Sequence, residues 1–400
     1  MKHSPSGTGG WIRRRLDEVA VLQTGMAKSP RRRRDAVTRP FLRVANVQDG
    51  HLDLQDVHSI EVERSQLGRY ELQSGDVLMT EGGDFDKLGR GTVWRGEIPG
   101  CVHQNHVFAV RPNPRYLLPE FLAAWTASSA GRRFFKACSK QTTNLASINA
   151  SQVRAAPLLL PSIEVQQEIV EVLSLSESLI ATTNELMLRR SAYQRRLTGD
   201  LLSGQRRYPK YENSKWRTVR LQSAFTERDE CGRDDLPLLA ITGGRGIVPR
   251  VDLARRDSSA IDKSNYKRIV PGDIGYNTMR MWQGVSGLAS LEGIVSPAYT
   301  VITPRSDIID SAFAAHLFKS PIVVHRFLRL SQGLVDDTLN LKFPMFAQVS
   351  VDLPSLEEQR VLAAILDCAV REVQLLEQLV SELRNQRRAV TDRLMAGPTR

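Results

Sequence analysis

The sequence predicts an α+β protein with an internal pseudo-twofold repeat. Two mixed α/β globular modules alternate with two long helices, which we expect to pair as an antiparallel coiled coil. The first observation is that LPSIEVQQEIVEVL, beginning at Leu160, recurs 193 residues later as LPSLEEQRVLAAIL from Leu353. The second is that helical apolar spacing follows each copy, whereas short alternating runs and Gly-rich turns precede it.

The first globular module is predicted over residues 1–159. Apolar or β-branched runs such as FLRVANV, DVLM and HVFAV predict short strands. One helix is predicted near the end of the module, over about 117–137. The basic segment MAKSPRRRRDAVTRP has no counterpart in the second half of the chain.

The first long helix is predicted over 160–206. Ser162 can cap its free N–H groups and Glu164 places negative charge at the positive end of the helix dipole. Gly204 follows the last periodic residue, which is typical of a helix end. The seam, meaning the row of residues that faces the partner helix, contains both apolar and polar residues: Leu173, Ser176, Ile180, Thr183, Met187, Arg190, Gln194, Leu197 and Leu201. A neighbouring row predicts a second surface in use and contains Val172, Leu179, Leu186 and Tyr193.

The second globular module is predicted over 207–352. It opens with SKWRTVRLQSAF, which resembles GWIRRRLDEVA at the start of the first module. The runs LPLLAIT and AYTVIT predict strands, and one helix is predicted over about 310–330. Both modules share a Gly-Asp pair before an apolar run, whereas their loops differ strongly. A shared framework with divergent loops is typical of two recognition modules with different targets.

The second long helix is predicted over 353–400. Ser355 with Glu358 fits the capping box, and Gly397 is placed to end the helix. About 40 residues correspond to about 60 Å of helix, which is too long for the interior of an ordinary domain. The seam of this copy is interrupted by Arg387 and otherwise contains Leu366, Ala369, Val373, Leu376, Val380, Leu383, Val390 and Leu394. The alternatives are two separate bundle helices or an intermolecular coiled coil.

Composition indicates an acidic partner. Lys and Arg total 55 against 44 Asp and Glu, which gives a net charge of +11, and only 11 of the 55 are lysine. Arginine suits forked contacts to phosphate and guanine, although an Arg-rich codon usage would give the same bias. The four cysteines form no CxxC pair, and the sequence shows neither a long apolar run nor a signal peptide. We therefore expect a cytoplasmic protein.

A search for catalytic motifs finds none. No lysine has an acidic residue two positions before it, so the acid-x-Lys half of a common nuclease metal site is missing. Neither a Walker A sequence nor a Gly-x-Gly-x-x-Gly turn after a strand occurs, and no Asn-Pro-Pro-aromatic or Asp-Pro-Pro-aromatic element is present. His103 and His106 lie three residues apart on a predicted strand and should point to opposite faces, which argues against a metal site and favours surface or DNA-facing roles.

The repeated features resemble the specificity (S) subunit of type I restriction-modification systems. The resemblance rests on the LPSxExQ start, the long heptad helix that ends in Leu-(Leu/Met)-x-Gly, its repetition, and the Trp…Leu and Gly-Asp-(Val/Ile) landmarks. It extends from about Trp11 to Gly397. The segments NTMRMWQG and GIVSPAYTV are also similar to a target-recognition domain of that family.

The resemblance implies a subunit without catalytic residues that binds double-stranded DNA. Residues 1–159 and 207–352 would be target-recognition domains, each specific for one half of a bipartite site, and residues 160–206 and 353–400 would be spacer helices. Two methyltransferase (M) subunits would dock on the helices, and restriction (R) subunits would join the complex. S-adenosylmethionine, ATP and Mg²⁺ would be used by those partners, and this chain would bind no cofactor or metal.

Candidate DNA contacts are polar and basic residues in loops outside the shared framework, where they can reach base edges and phosphates. In the first module they are Arg31, Arg32, Arg33, Arg34, Lys87, Arg90, Gln104, Asn105, Thr142, Thr143 and Asn144. In the second module they are Arg245, Arg280, Trp282, Gln283 and Gln332. For each residue, a solvated loop position or a nonspecific phosphate contact is an open alternative. For the whole chain, the alternative is a coiled-coil scaffold that does not bind DNA sequence-specifically.

Overall fold

The structure is a computed structural model that describes residues 10–27, 35–83, 88–89, 91–141, 146–253, 262–333, 335 and 338–398. The chain divides into two compact units. The first unit contains residues 1–184 and 378–400, and the second contains residues 185–377. Among the described residues, no helix is both long enough and apolar enough to cross a membrane.

Short strands and helices build the part of each unit that precedes a long helix. In the first half of the chain the strands are β1 (Ile12–Arg15), β2 (Ala20–Thr24), β3 (Ala36–Leu42), β4 (His58–Glu63), β5 (Val77–Thr80), β6 (Gly82–Gly83), β7 (Gly91–Val93), β8 (Val102–His103), β9 (Val107–Pro112), β10 (Lys140–Gln141), β11 (Ala146–Ser147) and β12 (Pro157–Leu160). The helices there are α1 (Leu16–Val19), α2 (Leu67–Tyr70), α3 (Pro119–Ala127), α4 (Ser129–Cys138), α5 (Ala150–Arg154) and the long α6 (Ile163–Leu202).

The second half repeats this order with fewer strands. They are β13 (Arg217–Arg220), β14 (Phe225–Glu227), β15 (Leu239–Thr242), β16 (Gly246–Pro249), β17 (Lys267–Ile269), β18 (Ile274–Asn277), β19 (Ser286–Leu288), β20 (Gly293–Val295), β21 (Tyr299–Pro304) and β22 (Ser350–Leu353). The helices are α7 (Leu221–Ala224), α8 (Ser311–Leu317), α9 (Pro321–Leu330), α10 (Phe343–Phe346) and the long α11 (Leu356–Met395).

Each unit has the same central antiparallel sheet. Its order is β2-β9-β5-β7 in the first unit and β14-β21-β18-β19 in the second. A two-stranded ribbon, β1 with β12 or β13 with β22, leads into each long helix. The ribbons explain two of the repeated landmarks, because the segment after Trp11 or Trp216 pairs with the segment that ends at Leu160 or Leu353.

The Gly-Asp landmark places a buried carboxylate beside the central sheet. Asp76 accepts hydrogen bonds from the Arg111 guanidinium at 2.7 and 2.8 Å, and this contact raises the pKa of Arg111. Asp273 accepts equivalent bonds from Arg228 and from the Thr303 hydroxyl at 2.7 Å. A buried carboxylate must be paired, so the aspartate fixes a cationic or hydroxyl partner in each unit.

One helix was predicted near the end of each module, over about 117–137 and 310–330. The structure has a pair of helices in each place, so this prediction was wrong in detail. Ser128 adopts an extended conformation (φ −71°, ψ 160°) between α3 and α4, and its hydroxyl accepts a hydrogen bond from the Gly131 N–H. Ser320 breaks α8 from α9 in the same way and precedes Pro321. Serine caps a new helix at the cost of ending the previous one.

The two long helices are 40 residues each and run antiparallel within each unit. In the first unit Leu173 of α6 shares a core with Met395 of α11, and Glu177 forms an ion pair with Arg387 at 2.9 Å. In the second unit Arg190 pairs with Glu372 at 3.2 Å. As the position advances along α6, its partner moves back along α11, as predicted for an antiparallel pair.

The predicted seam holds for most of its length. Leu173, Ile180, Leu197, Leu201, Leu366 and Val380 are buried. Arg387, the charged interruption, pairs with Glu177 across the helices. At the end of α11 the structure buries Thr391 and Met395, whereas the predicted Val390 is exposed. A straight helix drifts relative to a seven-residue repeat, which accounts for the shift by one position.

The start of α11 differs from the predicted capping box. The Glu358 N–H donates to the Ser355 hydroxyl at 3.3 Å, as a cap requires. The Glu358 carboxylate, however, accepts two hydrogen bonds from Arg207, at 2.7 and 2.9 Å, and is fully buried. The ion pair with Arg207, in the linker that follows α6, replaces the second half of the box.

Candidate nucleic-acid interface

Three loops of the first unit meet at one end of the central sheet. Glu81, which follows β5, donates its N–H to the His106 carbonyl at 2.9 Å, and His106 immediately precedes β9. The Glu81 carbonyl accepts the Ile148 N–H at 2.8 Å, which brings in the segment that follows α4. Main-chain atoms make both contacts.

The same three loops meet in the second unit. Thr278, which follows β18, donates its N–H to the Ala298 carbonyl at 3.4 Å and accepts the Leu341 N–H at 2.9 Å. We call this meeting place the loop edge of each unit. It is formed by the loops after β5 or β18, before β9 or β21, and after α4 or α9.

Gln104 and Asn105 lie at the loop edge of the first unit and are half-buried. The Asn105 N–H donates to the Met26 carbonyl at 2.9 Å, and the Gln104 N–H donates to the Leu42 carbonyl at 2.8 Å. The side-chain amide of Asn105 lies 3.3 Å from His106 Nε2, and His106 Nδ1 lies 2.5 Å from the Glu81 carboxylate. A polar, partly exposed network therefore surrounds both candidates.

The other candidates of the first module lie outside the described residues: Arg31, Arg32, Arg33, Arg34, Lys87, Arg90, Thr142, Thr143 and Asn144. The described residues that flank them in sequence do come together. Met26 pairs with Gln104, and Gly82 and Gly83 pair with Ser147 and Ala146. The described residues on either side of these candidates therefore lie at the loop edge.

The two histidines do not share one strand as expected: His103 ends β8, and His106 lies in the turn before β9. His106 is exposed, but His103 is fully buried and its Nδ1 lies 2.7 Å from the Val107 carbonyl oxygen. Burial lowers the pKa of His103. The predicted surface role is therefore wrong for His103, because β8 holds its ring in the interior, whereas the turn that follows leaves His106 exposed. No cluster of His, Cys, Asp and Glu able to hold a metal occurs among the residues that the structure describes.

Arg280, Trp282 and Gln283 form the turn after β18 at the loop edge of the second unit. Arg280 and Gln283 are exposed, and Arg280 Nη1 lies 3.4 Å from Gln283 Oε1. Trp282 is half-buried, and its indole N–H donates to the Met279 carbonyl at 3.0 Å. Arg280 and Gln283 thus present hydrogen-bonding groups to solvent, whereas Trp282 holds the turn.

Gln332 and Arg245 approach the same edge from two further loops. Gln332 is exposed and exchanges two main-chain hydrogen bonds of 2.9 Å with Asn340, next to the Leu341 that binds Thr278. Arg245 is exposed in the turn between β15 and β16, and β16 contacts β19. The residue before β19, Val285, donates its N–H to the Arg280 carbonyl at 3.2 Å. The structure therefore brings the five candidates of the second module toward one edge.

Sequence reasoning missed two apolar residues there. Met279 is 48% exposed, although its N–H donates to Asn277 Oδ1 at 3.0 Å and its carbonyl binds Trp282. Val335 is 61% exposed in the loop after α9. Apolar residues beside strands normally predict core, so only their neighbourhood of polar loop residues could have indicated exposure.

A second exposed surface follows the long helices. Along α6 the exposed apolar residues at helical spacing are Val172, Leu175 and Leu179 in the first unit and Leu186 and Tyr193 in the second. Leu175 is 72% exposed. On α11, Leu375 and Leu379 are exposed in one row with Cys368. Such rows on a paired helix are typical of faces that pack against further helices.

No protein-family model matches the chain. Among curated relatives, it is 24% identical over 175 residues to the putative type I restriction enzyme MjaX specificity subunit of Methanocaldococcus jannaschii, a match that covers 44% of this chain and 41% of the relative. It is 29% identical over 157 residues to the type I restriction enzyme EcoKI specificity subunit of Escherichia coli K12, covering 38% of this chain and 32% of the relative. The matched regions thus span well under half the length of these relatives.

Solved structures match over nearly the whole chain. The HsdS subunit from Thermoanaerobacter tengcongensis has a TM-score of 0.52 with 20% identity and covers 97% of both chains. The type I restriction-modification S subunit from M. genitalium has a TM-score of 0.55 with 11% identity, covering 100% of this chain and 99% of the other. In sequence over part of its length and in fold over nearly all of it, the chain is similar to the specificity subunits of type I restriction-modification systems.

Proposed function

We propose that this chain is the DNA-binding specificity subunit of a type I restriction-modification complex, in which each module recognises one half of a bipartite site. One observation carries the proposal: the same loop edge occurs twice on one framework, and its loops differ in sequence. Main-chain hydrogen bonds hold Glu81 and Thr278 in equivalent places. The loops that follow them read GGDFDKLGRG and MRMWQGV, so the two edges would bind different bases.

The chemistry of the second loop edge suits a groove contact. Exposed Arg280 can bind guanine O6 and N7 through its forked guanidinium, and Gln283 and Gln332 can bind adenine N6 and N7. In this proposal Arg245, which is exposed at the side of the edge, binds phosphate. The net charge of +11 supports attraction to DNA.

At the first loop edge, Gln104 and Asn105 supply the amides for base contacts. We propose that the arginines at 31–34, Lys87, Arg90, Thr142, Thr143 and Asn144 complete the contact surface from loops whose described neighbours lie at this edge. Phosphate contacts would dominate the arginine run, because four consecutive guanidinium groups attract the backbone without selecting bases.

We propose that the long helices set the distance between half-sites and dock two methyltransferase subunits on their exposed apolar rows. Restriction subunits would join through that complex. In this proposal the partners carry out methylation with S-adenosylmethionine and cleavage with ATP and Mg²⁺, in the cytoplasm, and this chain binds no cofactor and has no catalytic residues. The expected result for the purified chain with DNA and S-adenosylmethionine is that no methyl groups are incorporated.

The test is to map adenine methylation on plasmid DNA after expressing this chain with its cognate methyltransferase subunit. Each module, 1–159 and 207–352, is then replaced in turn by the corresponding module of a related subunit. A bipartite motif whose halves change one at a time is expected. A continuous motif, or no motif, would contradict the proposal.

A coiled-coil scaffold without sequence-specific DNA binding is the second candidate, and the exposed apolar rows on α6 and α11 favour it. It predicts stable partner complexes whose formation is insensitive to DNA sequence. The two functions are distinguished by competition, since a specificity subunit must bind a duplex with both half-sites more tightly than a scrambled duplex of equal length.

A further inference from the structure

Each long helix carries one fully buried glutamine near its start, and the two make the same three hydrogen bonds. Gln166 accepts the Leu118 N–H at 3.0 Å and donates to the carbonyls of Tyr116 at 3.0 Å and Pro161 at 3.1 Å. Gln359 accepts the Asp310 N–H at 2.9 Å and donates to Ile308 at 3.1 Å and Pro354 at 3.0 Å. Both side chains have no exposed surface.

These bonds join the globular part of a unit to its helix. Residues 116–118 lie between β9 and α3, residues 308–310 lie between β21 and α8, and the two prolines form the turn into the helix. The strand before each joint, β9 or β21, begins at the loop edge. Its six extended residues span about 20 Å. One strand and one amide therefore connect the loops to the helix.

Only a glutamine meets the demands of this joint. An amide offers an acceptor and two donors, whereas a carboxylate has no donor and an asparagine is one carbon shorter. An apolar side chain would leave one N–H and two carbonyls without partners in a buried position. Three directional bonds also fix the angle between the globular part and its long helix. Nonpolar packing would fix this angle less strictly.

The angle matters because of the geometry of DNA. Each added base pair moves a half-site by about 3.4 Å and rotates it by about 35° around the helix axis. We propose that Gln166 and Gln359 are positioning residues that fix the number of base pairs tolerated between the two half-sites. This inference rests on the proposed function.

The two joints are not equally braced. In the second unit the linker after α6 is also fastened to the start of α11, through the buried Arg207–Glu358 ion pair and the Lys210–Glu357 pair. The position equivalent to Glu358 in the first copy is Val165. Substitution of Gln166 should therefore disturb spacing more than substitution of Gln359.

The experiment uses the full chain assembled with its methyltransferase partner. Duplexes carry the two half-sites of the wild-type motif at the natural spacing and at spacings one base pair shorter and longer. The variants are Gln166→Leu, Gln359→Leu and the milder Gln166→Asn, which keeps an amide. Leu72→Ala is the control, because Leu72 is buried in a separate core of the first unit, away from the joint.

For Gln166→Leu we expect the ratio of methylation rates at natural and altered spacing to fall about tenfold, which corresponds to about 1.4 kcal/mol. Gln359→Leu should give a smaller fall, and the bases preferred in each half-site should not change. Leu72→Ala should lower the unfolding temperature without changing the ratio. If Gln166→Leu does not fold, Gln166→Asn must still lower the ratio.

An equal loss of rate at all spacings would overturn the inference and assign the glutamines to stability alone. The proposed function would survive that result, since the wild-type chain would still require both half-sites. Absence of a bipartite motif in the wild-type chain would instead defeat the proposed function itself.

Discussion

Arg280 and Gln283 lie side by side on an exposed turn, and the residues beneath them are held by hydrogen bonds. Because the Trp282 indole binds the Met279 carbonyl, the backbone of this turn is fixed before any ligand arrives. If Arg280 and Gln283 bind bases as proposed, a fixed backbone lowers the entropy that they lose on binding.

Replacement of Arg280 by alanine should weaken binding to the cognate second half-site by about 1–3 kcal/mol and relax selectivity at one base position. The measurement is competition binding with duplexes altered one base pair at a time. Arg305→Ala is the matched control, because Arg305 is also exposed but follows the far end of β21. Equal losses for both variants would point to a general charge effect.

Single residues were the least predictable from sequence. His103 and His106 were predicted on one strand, but a turn separates them, and only the fold shows that the first is buried and the second exposed. Glu358 fits a capping box by spacing, yet Arg207, 151 residues earlier, takes its carboxylate. A partner so distant in sequence leaves no local signal.

The helices are the elements that the sequence predicted best. Start, stop and seam are repeated in two copies, and the packing of an apolar stripe is a local property of helical spacing. The exception is the end of α11, where Thr391 and Met395 are buried in place of Val390. Strand positions such as β5, β9 and β21 were also predicted, whereas the order of strands in the sheet depends on long-range pairing.

Charge in the seam should disrupt the helix pair. Val380→Glu places a carboxylate at a buried position, where it loses contact with water, and should lower the free energy of unfolding by about 2–4 kcal/mol. Chemical denaturation measures the change. Leu379→Glu is the adjacent control: this side chain is 46% exposed, so stability should change by less than about 0.5 kcal/mol.

A companion variant, Leu383→Glu, adds charge to the same seam and should loosen the spacing between half-sites. Unchanged stability and unchanged site choice in the Val380→Glu, Leu383→Glu double variant would contradict the coiled-coil assignment.

The exposed row of α11 can be tested through its cysteine. Cys368 is exposed in the same helical row as Leu375 and Leu379, so a methyltransferase subunit docked on that row should slow its reaction with a maleimide. Cys231 is also exposed and serves as the internal control. Cys101 should not react with the maleimide, with or without the partner, since burial raises the pKa of its thiol to about 12. Equal labelling of Cys368 with and without the partner would remove this row from the docking surface.

For the whole molecule, the charge balance predicts a strong dependence of DNA binding on salt. With 6–10 phosphate contacts, affinity should fall about a thousandfold or more between 50 and 200 mM salt. Fluorescence anisotropy with a duplex that carries both half-sites measures this. Partner docking through the apolar rows should vary little over the same range of salt concentration. This difference distinguishes the DNA-binding surface from the partner-binding surface.

At this scale the sequence predicted the alternation of modules and helices because the same pattern occurs twice in the chain. It did not predict how the loops of each loop edge meet, since that depends on main-chain bonds between segments as distant as Glu81 and Ile148. The candidate residues were found by their chemistry, and the structure added the common edge toward which those of the second module converge.

The use of main-chain atoms at the loop edge has an evolutionary consequence. Glu81 and Thr278 differ completely as side chains, yet their amide and carbonyl groups make equivalent bonds. A point mutation in such a loop changes the exposed side chain but keeps the main-chain hydrogen bonds that hold the loop in place. Under the proposed function, each half of the protein could therefore acquire a new base preference by mutation or recombination while the helices that would bind the partners stay unchanged.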